Sequence, residues 1–314
     1  MILIADALHP VLMERLSEAG IPFNYQPDIT RNEALRIITP YSGLVVRSKF
    51  KVDKAFIDEA RSLKCIARAG SGLDTIDTEY AMAKGIALLH APEGLRDSVA
   101  EHTIGLILAL QHNLLKSHQE IMQARWDREG NRGVELGEKT VGIIGYGNTG
   151  SMVARKLSGF GVRVIAFDKY KENIDDGYAT PCDLETIYNQ TDILTVHVPL
   201  TKETNGWMNA KFFDRFRKPV VFINCARGSI VNAFDLVMAL KKRQIVAAGL
   251  DVLPEEPPFA TASADTPSWF QALKAMPNVI LTPHIAGWSR ESYQRISDVL
   301  AVRIIDFYRA EHVA

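Results

Sequence analysis

Residues 141–150 read VGIIGYGNTG, an apolar run that passes directly into Gly145-x-Gly147-x-x-Gly150, and Asp168 closes the apolar run that follows. No other stretch restricts the fold as tightly. Val141, Ile143 and Ile144 supply a buried strand. Gly145 permits a tight turn, Gly147 lets the backbone approach a pyrophosphate, and Gly150 lets the next helix pack close to the sheet. That helix is expected over residues 148–160, with Val153, Leu157 and Phe160 at helical spacing and Gly159 and Gly161 to end it. Its N-terminal N–H groups and dipole favour a diphosphate. The strand VRVIAFD then delivers the Asp168 carboxylate to where the ribose hydroxyls of an adenosine would sit. That charge repels a 2′-phosphate, so the expected cofactor is NAD rather than NADP. Lys169, next in the chain, could counter it.

The 314 residues suffice for two domains. Strand-like runs at 2–5, 22–25, 43–47, 64–69 and 86–90 alternate with amphipathic stretches such as 11–19, 31–38 and 53–60. A second set of strands is expected at 141–145, 163–168, 193–198, 220–224, 246–250 and 279–282. This pattern predicts an α/β chain with two doubly wound, parallel-sheet domains. Between the sets, a helical pattern over 97–126 carries Val99, Ile104, Ile107, Leu108, Leu114, Leu115 and Ile121, opens the second domain and bridges the two. Residues 127–137 and 253–268 read as loops. A last amphipathic helix over 289–309 has no strand to follow, so it returns to the first domain. The expected division is therefore 1–95 with 288–314, and 96–287.

Composition narrows the partners. With 23% charged residues and a net charge of −1, there is no electrostatic case for nucleic acid or a membrane. The cluster Lys241-Lys242-Arg243 reads as the positively charged end of a helix. Cys65, Cys182 and Cys225 lack metal-ligand spacing and fit a reducing compartment. The opening MILIAD is too short for a signal h-region, and Glu101 and His102 interrupt the apolar helix near 99–110. The expectation is a cytoplasmic protein that binds no metal.

The strand ends carry the reactive side chains. Oxidising an alcohol with a nicotinamide cofactor removes a hydroxyl proton while hydride leaves the same carbon, and a histidine of near-neutral pKa suits that step. Of the eight histidines, His284 follows NVILTP at a carboxyl edge, where doubly wound sheets bind ligands. His197, in TVHVPL, is its rival. INCARGSIV sets Arg227 just after the strand VVFIN, and its planar fork suits an α-hydroxy or α-keto carboxylate. In DVLPEEPP a carboxylate near His284 would stabilise an imidazolium and fix the ring tautomer. Spacing alone does not choose between Glu255 and Glu256.

GYGNTG with Asp168, HVPLTKET, INCARGSIV, GLDVLPEEP and LTPHIAG, taken in order, run over nearly the whole chain. Together they resemble the D-isomer-specific 2-hydroxyacid dehydrogenases. The resemblance implies a Rossmann NAD-binding domain and a flavodoxin-like substrate domain built from both chain ends. It matches Arg227, Glu256 and His284 to the family's catalytic arginine, glutamate and histidine, with Glu256 chosen because it directly precedes Pro257. It sets Gly145, Gly147, Asn148, Thr149, Gly150, Asp168, Val198, Cys225, Ala226, Asp251 and Gly287 against the dinucleotide, Cys225 through its backbone alone.

Within the family, VVRSK (Arg47, Ser48) and RAGSGLDTID are most similar to the phosphoglycerate dehydrogenase branch. By that likeness Gly70, Ser71 and Gly72 present N–H groups to the substrate carboxylate, and Arg47 meets a second anionic group such as a phosphate. Two departures stand out. The expectation is a chain without the C-terminal regulatory domain of many phosphoglycerate dehydrogenases, which leaves serine feedback unsupported. Trp288 follows HIAG, where that branch often carries a small residue. The resemblance implies hydride transfer between NAD and a D-2-hydroxy acid, with D-3-phosphoglycerate and 3-phosphohydroxypyruvate as the first expectation. A glyoxylate/hydroxypyruvate reductase is the alternative, and an NAD-sensing binding protein like the C-terminal-binding-protein corepressors is the reading from another class. Glu256 disfavours a formate dehydrogenase. The expected partners are a small 2-hydroxy or 2-oxo acid and a second copy in a homodimer through the cofactor domain, where the apolar helix near 99–115 would be buried.

Overall fold

A computed structural model describes residues 1–171, 174, 176–257 and 266–313. The chain separates into two compact units, Met1–Arg96 with Trp288–Ala314, and Asp97–Gly287.

In the first unit the strands β1 (Ile2–Ile4), β2 (Phe23–Tyr25), β3 (Gly43–Val46), β4 (Cys65–Arg68) and β5 (Ala87–His90) alternate with helices α1 (Val11–Glu18), α2 (Arg31–Ile37), α3 (Lys54–Glu59) and α4 (Thr78–Ala83). All pairings are parallel, in the order β2-β1-β3-β4-β5, the flavodoxin-like arrangement. Strand alternation explains why these runs are apolar throughout. Leu3, Leu44, Val46 and Ile66 pack on one face with Phe56, whereas Ile2, Ile4, Val45 and Ala67 pack on the other. Helices α2, α3 and α4 start where side chains cap them. Thr30 and Glu33 form a capping box, and Asp53 and Asp77 accept from the third helical N–H. The second face is completed from the far end of the chain. Ile296, Leu300, Ala301 and Ile304 of the C-terminal helix (Arg290–Val313) join Leu12 and Leu16 of α1 there.

The second unit begins within α5 (Pro92–Gln111) and continues through α6 (Leu114–Met122), β6 (Thr140–Ile144), α7 (Asn148–Leu157), β7 (Arg163–Phe167), β8 (Thr180–Pro181), α8 (Leu184–Gln190) and β9 (Ile193–Val196). It ends with α9 (Ala210–Phe213), β10 (Val220–Asn224), α10 (Ala233–Lys241), β11 (Ile245–Leu250), α11 (Ser268–Lys274) and β12 (Val279–Leu281). Its parallel sheet has the order β12-β11-β10-β9-β6-β7-β8, the Rossmann winding extended by one strand. Ile144, Leu194, Phe222 and Ala248, one from each central strand, share a single core.

Several boundaries differ from the sequence expectation. The helical pattern over 97–126 is two helices, because Asn113 adopts φ +51, a left-handed conformation that asparagine tolerates. The helix expected over 148–160 gives way to a 3-10 turn at Ser158–Phe160. β8 went unread because two exposed residues, one a proline, carry no alternation. Of the loop expected over 253–268, residues 258–265 lie outside the described residues. Among the described residues no helix is long and apolar enough to cross a membrane, and no group of three His, Cys, Asp or Glu could hold a metal ion.

Candidate active site

In a doubly wound sheet the strand order reverses at one point, and the carboxyl ends there leave a crevice. In the second unit this point lies between β6 and β9. Gly145, just after β6, has φ +93, and a Cβ on it would lie 2.7 Å from the His197 carbonyl carbon and 2.9 Å from Val198 Cγ1. The turn is thus pressed against the end of β9. Gly147 is the opposite case, since no atom lies within 4 Å of its Cβ position. It precedes α7 without a side-chain cap, so the first N–H groups, on Asn148, Thr149 and Gly150, are left for an anion. Gly150 seats α7 on the turn: its Cβ would fall 2.1 Å from the Gly145 carbonyl oxygen.

Asp168 follows β7. Its Oδ2 accepts from Tyr146 N–H (2.7 Å), and Oδ1 from the N–H groups of Tyr170 (3.0 Å) and Lys171 (3.1 Å). After β10, the Asn224 side chain accepts from Ala226 N–H (3.0 Å) and donates to the Arg227 carbonyl (3.1 Å), fixing the Cys225–Ala226 backbone. Burial pushes the Cys225 thiol up to about 12, so it stays protonated. This cradle fits a dinucleotide, with α7 for the pyrophosphate and Asp168 for a ribose.

Arg227, Glu256 and His284 come together in the same unit. A Cβ on Gly228 would lie 1.9 Å from the Leu253 carbonyl carbon, so only glycine lets the segment after Arg227 lie against the next loop. Glu256 folds back in that loop. Its Oε1 accepts from Leu253 N–H (2.9 Å), and its Oε2 lies 2.7 Å from His284 Nδ1. Burial raises the Glu256 carboxyl, but the His284 hydrogen bond, the Leu253 N–H and the Arg227 charge outweigh it and hold the group below the usual carboxylate range. An ionised carboxylate only accepts, so Nδ1 of His284 carries a hydrogen and the Nε2 lone pair is left to take a proton. Arg227 Nη1 donates to the Ala226 carbonyl at 2.6 Å, which steadies the guanidinium.

His284 has φ +55, a region that non-glycine residues enter at a cost. The end of β11 holds it there. His284 N–H donates to the Asp251 carbonyl at 2.8 Å. The Asp251 carboxylate, 1% exposed, accepts from Thr282 Oγ1 (2.5 Å), Ile285 N–H (2.9 Å) and Ala286 N–H (2.8 Å). Its oxygens therefore serve the turn between Thr282 and Gly287 from inside the protein. His197, the rival histidine, is pushed down to about 3 by burial, and its Nε2 sits 2.9 Å from Thr195 Oγ1.

In the first unit the reversal lies between β1 and β3, where Asp6 and Arg47 leave the sheet. Asp6 Oδ2 accepts from Arg47 N–H at 2.6 Å. The Arg47 guanidinium carbon is 3.5 Å from the centroid of the Trp288 ring, and burial pushes the group below the usual arginine value against the pull of Asp6 and Tyr293. Among the described residues none accepts a hydrogen bond from this guanidinium. Gly70, Ser71 and Gly72 follow β4. The Gly70 carbonyl accepts from Ala91 N–H (2.8 Å), and the Ser71 carbonyl lies 2.7 Å from His90 Nδ1, so the end of β5 fixes this turn. Sequence reasoning missed Arg68, whose Nη1 lies where a Gly70 Cβ would be and whose strand pairs Val46 with it. A cation closing the apolar run CIAR was the available signal.

The fold and the glycine cradle define a dinucleotide-binding protein of the doubly wound class. Residues 104–286 match the family model of the D-isomer specific 2-hydroxyacid dehydrogenase NAD binding domain, and the chain belongs to that family. It is 34% identical to the D-3-phosphoglycerate dehydrogenase of Archaeoglobus fulgidus over 97% of this chain and 56% of that one, so it spans little more than half that relative's length. It is 35% identical to the hydroxypyruvate reductase of Thermotoga maritima over 88% of each chain. Among solved structures, D-lactate dehydrogenase from Aquifex aeolicus, complexed with NAD and lactic acid, matches with a TM-score of 0.85 at 26% identity, over 99% of this chain and 96% of that one.

The two inner glycines should separate by experiment. Gly150→Ala should destabilise the fold by about 1–3 kcal/mol in urea unfolding, through overpacking. Gly147→Ala should leave stability unchanged and weaken NADH binding by about tenfold or more, measured by fluorescence titration. Equal NADH affinity in Gly147→Ala and wild type would remove the pyrophosphate from this turn.

Proposed function

We propose that the protein is an NAD-dependent D-2-hydroxyacid dehydrogenase, an oxidoreductase of CH–OH donors. The observation that carries this is the Glu256–His284 hydrogen bond with Arg227 beside it. Bound NAD supplies the hydride acceptor. Arg227 binds the substrate carboxylate through its guanidinium fork. His284 Nε2 takes the C2 hydroxyl proton as hydride departs and returns it in the reverse direction. Glu256 holds Nδ1–H, which fixes the tautomer and stabilises the imidazolium formed in between.

The substrate we assign first is D-3-phosphoglycerate, oxidised to 3-phosphohydroxypyruvate. Arg47 supports it: a partly desolvated guanidinium that has no hydrogen-bond acceptor among the described residues suits a second anionic group. Hydroxypyruvate or glyoxylate is the second reading, supported by the reductase relative that matches over most of both chains.

NADH oxidation with 3-phosphohydroxypyruvate, hydroxypyruvate, glyoxylate and pyruvate in parallel tests both readings. Activity on none of them, with NADH still bound, would favour an NAD-sensing binding protein. His284→Ala should lower turnover by about 10²–10⁴-fold while NADH binding survives, and unchanged turnover would refute its role as base.

If Arg47 meets the phosphate, Arg47→Gln should raise KM for 3-phosphohydroxypyruvate by about tenfold or more and spare glyoxylate. An equal loss on both substrates would sink the phosphate assignment.

We also propose a homodimer formed through the second unit. Leu114, Leu115, Ile121 and Met122 of α6, with Trp126 beyond it, are large apolar side chains exposed in the single chain, and an apolar surface of this kind suits a partner. Light scattering at micromolar concentration should give twice the mass of one chain, and Leu115→Glu combined with Ile121→Glu should give one. A monomeric wild type removes this proposal.

A further inference from the structure

Ser98 and His102 lie one turn apart on α5 and reach both ends of the turn that carries His284. Ser98 Oγ donates to the Ala286 carbonyl at 2.7 Å. His102 Nε2 lies 3.1 Å from Thr282 Oγ1. The direction of the second bond follows from chemistry. A threonine hydroxyl has one hydrogen, and that of Thr282 goes to Asp251 Oδ1. The Thr282 oxygen therefore accepts from His102, whose Nε2 must carry a hydrogen. The same nitrogen is 3.5 Å from Asp251 Oδ1, on a carboxylate side chain that is fully buried.

The result is a closed set of bonds. α5 grips Thr282 and Ala286, Asp251 grips Thr282, Ile285 and Ala286, and His284 sits between the grips at φ +55. A residue in that region persists only where its surroundings over-determine it. Asp251 alone leaves the outer end of the turn, at the Ala286 carbonyl, unheld. Ser98 supplies that contact.

We propose that Ser98 and His102 are positioning residues for His284, acting through the Ala286 carbonyl and through Thr282 and Asp251. The inference rests on the reading of His284 as the proton-transfer group. Neither side chain needs to touch substrate. Their effect is to set where His284 Nε2 stands, and a misplacement of about 1 Å in such a group costs on the order of 100-fold.

The test compares full-length His102→Ala, His102→Gln and Ser98→Ala with wild type. Amide hydrogen exchange over residues 282–287 should accelerate in both alanine variants. In the same variants kcat should fall by about 10- to 100-fold with KM for the 2-oxo acid little changed, because the lost contact acts on reacting geometry and not on substrate binding. His102→Gln keeps an N–H donor and should recover most of both signals. Wild-type exchange rates in both alanine variants overturn the proposal, and so does an unchanged kcat alongside faster exchange. If the wild-type chain turns over no 2-oxo acid, the dehydrogenase reading falls separately, and the exchange rates alone decide whether the clamp exists.

Discussion

Burying both faces of a parallel sheet leaves only its edges for chemistry. Every strand of both sheets here runs the same way, so all carboxyl ends of a sheet emerge together, and the apolar interior excludes charge from everywhere else. Asp6 and Arg47 leave one sheet this way. Asp168, Arg227, Asp251 and His284 follow strands of the other. The glycines act at the same edge. Gly145 and Gly228 let backbone segments lie closer together than any Cβ would permit, which draws the ends of β9 and β11 toward those of β6 and β10.

The candidate base depends on a second constraint, the demand of a buried carboxylate for hydrogen-bond donors. The Asp251 carboxyl lies almost entirely inside the protein and must be satisfied there. The donors nearest to hand are the N–H groups of Ile285 and Ala286 and the hydroxyl of Thr282, all on the turn that includes His284. Satisfying Asp251 therefore shapes that turn, and the left-handed backbone at His284 follows from it. Glu256 then meets the ring from a different loop. Two carboxylates thus divide the work: the buried one fixes the backbone and the more exposed one holds Nδ1 of the ring.

What could be read from sequence follows from the range of each interaction. The glycine turn, the strands and the caps are short-range, so VGIIGYGNTG or the Thr30–Glu33 box carries its structure within a few residues. Asn113 shows the limit of periodicity, since an apolar repeat runs through a break that one left-handed residue makes. The order Arg227, Glu256, His284 was visible as motifs, yet the choice of Glu256 over Glu255 needed a likeness to relatives, because spacing alone cannot show which carboxylate turns inward. Ser98, His102 and Arg68 escaped notice for a plainer reason. Their partners are separated by long stretches of chain, as with Ser98 and Ala286 or His102 and Thr282, or are revealed only by how a side chain folds over a glycine. No local pattern encodes the Ser98–Ala286 and His102–Thr282 pairs.

The same logic bears on the preference for NAD. Asp168 is usually treated as a charge that repels a 2′-phosphate, but here it is also a structural part of the cradle. One of its oxygens holds Tyr146 N–H, inside the glycine turn, and the other holds the chain after β7. Tyr146 is itself anchored: its ring is buried and its hydroxyl donates to the Asp176 carboxylate at 2.9 Å. Lys169, the cation best placed to offset Asp168, is instead paired with Glu203, which Tyr170 also reaches through its hydroxyl at 3.2 Å. The pairing directs the Lys169 ammonium to Glu203 instead of to Asp168. A neutral residue at position 168 would remove the negative charge and, in the same step, an anchor of the glycine turn. Accepting a 2′-phosphate in this chain therefore requires a rebuilt turn as well as a changed charge.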